Sequence, residues 1–113
     1  MEWFVIIIVA AFILWRLKPA NVNTIGASEL KNILQDQDKV FIDVRTPGEY
    51  KANHIPQFQN LPLGSDFTKL PKDKEIVVIC QSGMRSSQAC KQLKKLGYER
   101  VTNVRGGMNA WRN

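Results

Sequence analysis

The sequence predicts an α/β domain with a mostly parallel β-sheet and helices on both of its faces. Short apolar runs typical of buried strands alternate with segments that have helical spacing or helix caps. Alternation of this kind is typical of parallel sheets, which carry their functional sites at the carboxyl ends of strands. Two such ends hold a polar or reactive side chain, Asp43 and Cys80.

The first element is an apolar segment from Trp3 to Trp15, followed by Arg16 and Lys18. As a helix, residues 1–17 span roughly 25 Å against a hydrocarbon core of about 30 Å. We therefore expect residues 1–18 to form a short transmembrane anchor, joined to the domain by a linker at residues 19–23. The positive charges after the segment predict an N-terminus outside the cell and a domain on the cytoplasmic face of the inner membrane.

Two alternatives to an anchor are open. A cleavable signal peptide needs positive charge before its apolar run and small residues after it, whereas Glu2 precedes this segment and Arg16 follows it. A soluble core helix would have a polar face, and this segment is apolar on all sides. The sequence favours an uncleaved anchor over both.

The domain is expected to occupy residues 24–113. A helix with one apolar stripe is predicted from Gly26 to Gln35, followed by a buried strand, Val40 to Ile42. A capping box from Thr46 to Glu49, with proline at the first helical position, predicts a short helix. Further elements are an extended piece at residues 60–63, a helical turn at 66–70, a central strand at 75–79, an amphipathic helix at 86–96 and a last strand at 101–104.

Length and composition limit the functions that this chain can have. Its 113 residues leave room for a single domain with a modest core. The net charge of +6 comes from dispersed basic residues, which favours a solvated surface, with attraction to an anionic membrane surface as the second interpretation, over a nucleic-acid site. Cys80, Cys90 and His54 are too few for a structural zinc set, so we expect neither metal nor cofactor. A disulfide stays open, although Cys90 lies on an apolar helical face and is predicted to be core.

Cys80 is the strongest candidate for a reactive group. It ends the central strand, and a helix begins a few residues later. A loop in that position can turn backbone N–H groups inward, and the helix N-terminus adds partial positive charge. Both effects favour a thiolate and bind an anion beside it. Gly83 allows an unusual backbone conformation and Arg85 adds a fixed charge, so a reactive thiol is favoured over an inert buried one.

Five ordered motifs resemble a single-domain rhodanese, a family of sulfurtransferases. They cover residues 24–113 and lie at residues 43–50, 54–56, 60–63, 80–86 and 106–111. The resemblance implies a five-stranded parallel sheet flanked by helices. It also implies transfer of a sulfane sulfur through a persulfide on Cys80. The chain departs from the family pattern at Asn53 and at Gln57-Phe58, on either side of His54-Ile55-Pro56, which puts the local turn in doubt.

The resemblance also assigns roles around Cys80. The loop would supply donors to the persulfide and to the anionic part of a thiosulfate-like donor, and a thiol or cyanide would accept the sulfur. Arg85 is expected to recognise the oxyanion. Asp43 and Arg45 are expected at the mouth of the site. The full substrate-binding set predicted in this way is Gln81, Ser82, Gly83, Met84, Arg85 and Ser86.

Other conspicuous residues are interpreted as structural. His54, the only histidine, is expected to pack and hydrogen-bond rather than to transfer protons. Asp43, Arg45 and Glu49 are expected to form an ion-pair and capping cluster. Gly106-Gly107 lacks the lysine of a phosphate-binding loop and is predicted to be a tight turn that lets Trp111 pack.

Two other functions compete with sulfur transfer. A cysteine phosphatase or an arsenate reductase also uses a thiolate in an anion-binding loop. In loops of the tyrosine-phosphatase type, however, five residues separate the cysteine from the arginine. Here four residues separate Cys80 from Arg85. The second alternative is a membrane-tethered sulfur-relay or docking module with little turnover. The sequence does not identify a protein partner.

Overall fold

The computed structural model describes residues 2–17 and 22–112, with side chains for residues 2–11 and 22–112. Five parallel strands form one sheet in the order β1-β5-β4-β2-β3. The strands are β1 Asn23–Ile25, β2 Lys39–Asp43, β3 Gln59–Asn60, β4 Glu75–Ile79 and β5 Val101–Val104. The helices are α1 Glu2–Leu17, α2 Ala27–Ile33, α3 Pro47–Ala52, α4 Met84–Lys95 and α5 Gly107–Ala110, with a 3₁₀ turn at Phe67–Lys69.

The predicted α/β class and the five-stranded parallel sheet are both confirmed. β4 lies at the centre, paired with β2 along its whole length and with β5 from Ile76 to Val78. Its side chains alternate between two apolar clusters, one on each face of the sheet, as expected for a strand covered by helices on both sides. This central strand leads directly into Cys80.

The chain forms the predicted capping box at the start of α3. The Thr46 hydroxyl accepts a hydrogen bond from the Glu49 backbone N–H, and the Glu49 carboxylate accepts one from the Thr46 N–H. α4 begins at Met84, two residues before the predicted start, because Gly83 caps it with a φ of +106°. That left-handed conformation favours glycine, and it brings the helix N-terminus up to the Cys80 loop.

The predicted transmembrane anchor at residues 1–18 is not supported. α1 has 16 residues, which correspond to about 24 Å of helix against a hydrocarbon core of about 30 Å. Within residues 2–17 and 22–112, no helix is both long enough and apolar enough to cross a membrane. The apolar side chains from Trp3 to Val9 are all about half exposed or more.

The predicted linker at residues 19–23 falls mostly outside the described residues. Pro19, Ala20 and Asn21 are not described, and β1 already begins at Asn23. β1 pairs with β5 at the edge of the sheet, from Asn23 opposite Thr102 to Ile25 opposite Val104. The sheet of the domain therefore includes Asn23, one residue before the predicted start of the domain.

Candidate active site

Cys80 lies at the carboxyl end of β4, in the loop that leads to α4. The residue has no exposed surface. Its Sγ accepts a hydrogen bond from the Gly83 N–H at 3.0 Å, and its thiol donates to the Ser86 hydroxyl at 3.3 Å. Because Cys80 is covered, a reactant reaches the sulfur only after the atoms that cover it move.

The surroundings of Cys80 lower the pKa of its thiol below the ordinary value. Burial alone would raise this pKa, because it penalises the charged form. Once the thiol is ionised, hydrogen bonds from the Ser86 hydroxyl and from the backbone N–H groups of Ser86, Gly83 and Ser82 outweigh that effect. These donors stabilise a thiolate, the reactive form of cysteine.

The opposite side of the loop is held by α5. The Cys80 carbonyl accepts a hydrogen bond from the Met108 N–H at 2.8 Å, and the Gln81 carbonyl accepts one from the Asn109 N–H at 3.0 Å. These two hydrogen bonds fix the start of the loop to α5. The N–H groups that follow in the loop and in the first turn of α4 donate to the sulfur instead. Gly107 makes this approach feasible, because a Cβ at that position would overlap the Cys80 carbonyl oxygen. The tight turn predicted at Gly106-Gly107 therefore also supports the loop.

The predicted substrate-binding residues other than Arg85 fall into three groups. Backbone N–H groups directed at the sulfur come from Ser82, Gly83 and Ser86. Met84 points to solvent and is 75% exposed. The side-chain amide of Gln81 already has two partners, because it accepts a hydrogen bond from Arg45 Nη1 at 3.2 Å and donates one to Asn109 Oδ1 at 2.6 Å. The loop thus offers mainly backbone donors to a bound sulfur.

Arg85 makes a bidentate ion pair with Glu49 of α3. Its Nη1 and Nη2 donate to the two carboxylate oxygens at 2.7 and 3.0 Å. This contact is the main reason that the pKa of Glu49 is lowered to about 2 and that the pKa of Arg85 is raised. An anionic donor must compete with Glu49 for Arg85, so recognition of the oxyanion by Arg85 stays a prediction.

Asp43 and Arg45 form a buried ion pair beneath the loop. Arg45 Nη2 lies 2.8 Å from Asp43 Oδ2, and the two residues are 3% and 0% exposed. Arg45 also donates to the Asn53 carbonyl, and the amide of Asn60 donates to the carbonyls of Asp43 and Arg45. Asp43 therefore lies under the site and does not face its mouth, whereas Arg45 reaches the loop through Gln81. The predicted pairing of Arg45 with a carboxylate is confirmed, and Glu49 completes the predicted capping box, but the ion pair of Glu49 is with Arg85.

His54 and Cys90 take no part in the contacts of the Cys80 sulfur. The His54 ring stacks on Tyr50 with centroids 3.9 Å apart, and its Nδ1 lies 2.7 Å from the Tyr50 carbonyl oxygen. Cys90 is a free, buried thiol in the apolar cluster between α4 and the sheet, as predicted for a core residue. In the part of the chain that the structure describes, no group of three or more His, Cys, Asp or Glu side chains could hold a metal ion.

Comparison with known proteins identifies the family of this site. The family model described as Rhodanese-like domain matches residues 26–113. The chain belongs to the rhodanese-like domain family. A protein named Sulfurtransferase from Allochromatium vinosum is 42% identical to it over 94 residues, which are 80% of this chain and 88% of that protein.

Solved structures support the rhodanese-like fold. The crystal structure of a rhodanese-like domain protein from Staphylococcus aureus superposes with a TM-score of 0.73 at 30% identity, covering 81% of this chain and 93% of that one. A rhodanese-related protein from Thermoplasma volcanium superposes with a TM-score of 0.69 at 32% identity, covering 79% and 89%. Both likenesses cover the domain nearly completely.

Three contacts of the rhodanese-like site escaped the sequence analysis. Asn103 on β5 accepts from the Ser86 hydroxyl, Asn109 on α5 accepts from Gln81, and Glu49, predicted only as a cap and ion-pair residue, binds Arg85. Each acts across 17 to 36 residues of sequence, so no local pattern reveals the contact. The one available signal was position, because Asn103 lies near the carboxyl end of the strand next to β4.

Proposed function

We propose that this chain is a sulfurtransferase that carries a sulfane sulfur as a persulfide on Cys80. The observation that carries the proposal is the ring of donors around Sγ, namely the N–H groups of Ser82, Gly83 and Ser86 together with the Ser86 hydroxyl. Such donors stabilise the negative charge of the Cys80 thiolate, the form that attacks a sulfur donor. The family membership and the sulfurtransferase relative support the same reaction class.

The proposed reaction has two displacement steps on sulfur. The Cys80 thiolate attacks the outer sulfur of thiosulfate or a similar donor, a bond forms between the two sulfurs, and sulfite leaves with the electron pair of the broken bond. A thiol or cyanide then attacks the outer sulfur of the persulfide and releases the Cys80 thiolate. Among the described residues, the partners of Sγ include neither an imidazole nor a carboxylate. A thiol ionised by backbone donors needs no general base.

Mass spectrometry of the full chain tests the proposal directly. After incubation with thiosulfate, the wild type should gain the mass of one sulfur atom and lose it again when cyanide is added. Cys80→Ser should gain nothing, and Cys90→Ala should gain the same sulfur as the wild type, because Cys90 lies in the apolar core. A wild type without an adduct under these conditions would contradict thiosulfate as the donor.

The Arg85–Glu49 pair gives a test of the proposed donor-binding role of Arg85. In Glu49→Gln the amide oxygen can still accept from the Thr46 N–H, but the charge that holds Arg85 is gone. We expect the KM for thiosulfate to fall about two- to fivefold with kcat nearly unchanged, the range expected for a partly exposed ion pair. Glu29→Gln, on the distant helix α2, is the matched control. An unchanged KM in Glu49→Gln would mean that Arg85 does not bind the donor.

We also propose that the domain works in the cytoplasm. Cys80 and Cys90 are free thiols, and a reducing compartment keeps them so. Protease added to intact cells should spare the domain and should digest it after lysis. Digestion in intact cells would contradict this location.

A further inference from the structure

The hydroxyl of Ser86 lies between two groups that can each use its single proton. On one side is Cys80 Sγ at 3.3 Å, and on the other is Asn103 Oδ1 at 2.5 Å. Ser86 is fully buried, so water does not replace either partner. Asn103 lies on β5 opposite Val78 of β4, and its amide nitrogen is 3.4 Å from the Gly83 carbonyl oxygen. The loop after β4, the first turn of α4 and strand β5 therefore hold the three side chains in a row.

Counting protons along this row gives one arrangement for the resting thiol. A carbonyl oxygen can only accept, so the Ser86 hydroxyl donates to Asn103 Oδ1 and the Cys80 thiol donates to Ser86 Oγ. When Cys80 loses its proton, the sulfur has nothing left to donate. The thiolate is stabilised by the Ser86 hydroxyl only if that hydroxyl turns away from Asn103.

The persulfide returns the row to its first arrangement. In Cys–S–S⁻ the negative charge is on the outer sulfur, and the inner Sγ is an uncharged, weak acceptor. The Ser86 hydroxyl is then free to donate to Asn103 again. The preference of Ser86 for one partner or the other thus depends on whether Cys80 carries sulfur.

We propose that Asn103 is a positioning residue that competes with the Cys80 thiolate for the Ser86 hydroxyl and thereby favours the sulfur-loaded protein over the free thiolate. This inference rests on the proposed sulfur transfer. The exchange involved is thiolate plus thiosulfate giving persulfide plus sulfite, in which atoms and charges balance. Asn103 touches neither sulfur of the persulfide in this scheme, because it acts through Ser86.

The pH profile of Cys80 alkylation by iodoacetamide tests the competition without any sulfur transfer. In Asn103→Ala the Ser86 hydroxyl has only the sulfur as partner, so the midpoint of the profile should move to lower pH. Asn103→Asp, of similar size and able only to accept, should move it to higher pH. In a Ser86→Ala background, Asn103→Ala should have no effect. Asn23→Ala, at the start of the neighbouring strand β1 and opposite Thr102, is the matched control.

A second measurement tests the consequence for loading. At a fixed ratio of thiosulfate to sulfite, the ratio of persulfide to free Cys80 should fall about three- to tenfold in Asn103→Ala, the range that one hydrogen bond supplies. An unchanged or raised midpoint in Asn103→Ala would overturn the inference, as would an equal shift in the Ser86→Ala background. Failure of the proposed function itself would look different, since the wild type would then take up no sulfur while its alkylation profile stayed measurable.

Discussion

The two cysteines of this domain have the same burial and opposite chemistry. Cys80 and Cys90 both have no exposed surface and belong to the same apolar cluster. The pKa of Cys80 is nevertheless lowered, because backbone N–H groups and a hydroxyl outweigh burial. Burial raises the pKa of Cys90 to about 12, with a further contribution from the charge of Cys80.

The difference lies in the backbone around each thiol. Cys80 precedes α4, where the first N–H groups of the helix have no carbonyl partner within it. Cys90 lies in the middle of α4, where the N–H groups are used by the helix itself. Burial therefore makes a thiol inert only where the surrounding donors are already satisfied. This comparison predicts four effects, which follow from the largest to the smallest.

The largest expected effect is selective modification. At neutral pH, iodoacetamide should alkylate Cys80 on the order of 10² times faster than Cys90 or more, since a pKa of about 12 leaves Cys90 almost no thiolate. Peptide mapping after a short exposure measures both rates in one sample. Equal rates would show that the donors around Cys80 do not set its reactivity.

The second effect concerns the support of the Cys80 loop by α5. Gly107→Ala places a Cβ against the Cys80 carbonyl oxygen, at a φ of +55° that side chains rarely adopt. We expect a loss of about 2 kcal/mol in the free energy of unfolding and a clear fall in the alkylation rate of Cys80. Gly48→Ala is the matched control, because a Cβ there has no neighbour within 4 Å. If the two variants behave alike, the loop does not depend on its close approach to α5.

Much of this comparison was accessible from the sequence, and the reasons are local. The run Glu75–Ile79 predicted β4, and the Thr46–Glu49 box predicted α3, because strand burial and helix capping depend on neighbouring residues. The position of Cys80 before a helix predicted its donors for the same reason.

The remaining features depend on contacts between distant parts of the chain. The Arg85–Glu49 pair and the Ser86–Asn103 hydrogen bond join residues 36 and 17 positions apart, and only the folded sheet brings them together. The apolar N-terminal segment predicted a helix, which the structure has at Glu2–Leu17. Hydropathy also predicted a membrane span, but no helix among the described residues is long and apolar enough to be one.

The third effect isolates the side-chain donor from the backbone donors. Ser86→Ala removes the hydroxyl but leaves the N–H groups of Ser82, Gly83 and residue 86 in place, so the pKa of Cys80 should rise. We expect its alkylation rate near neutral pH to fall about three- to tenfold, as one lost hydrogen bond implies. Ser87→Ala, one residue further along α4, should leave the rate unchanged. No change in Ser86→Ala would assign the low pKa to the backbone alone.

The smallest effect is a difference in how the two thiols couple stability to pH. Because folding lowers the pKa of Cys80, its stabilising contribution is complete above the unfolded value of 9.0 and is lost as the pH falls through the folded value. Folding raises the pKa of Cys90 from 9.0 to about 12, so the unfolded chain ionises first and stability declines as the pH rises from 9 to 12. Urea unfolding at several pH values should therefore show that the free energy of unfolding declines less steeply above pH 9 in Cys90→Ala than in the wild type.

Burial also raises the pKa of Tyr98, which adds to this decline in both proteins. The difference between the two slopes therefore reports on Cys90. Identical slopes would mean that Cys90 ionises as readily in the folded domain as in the unfolded chain, and the contrast with Cys80 would then rest on reactivity alone.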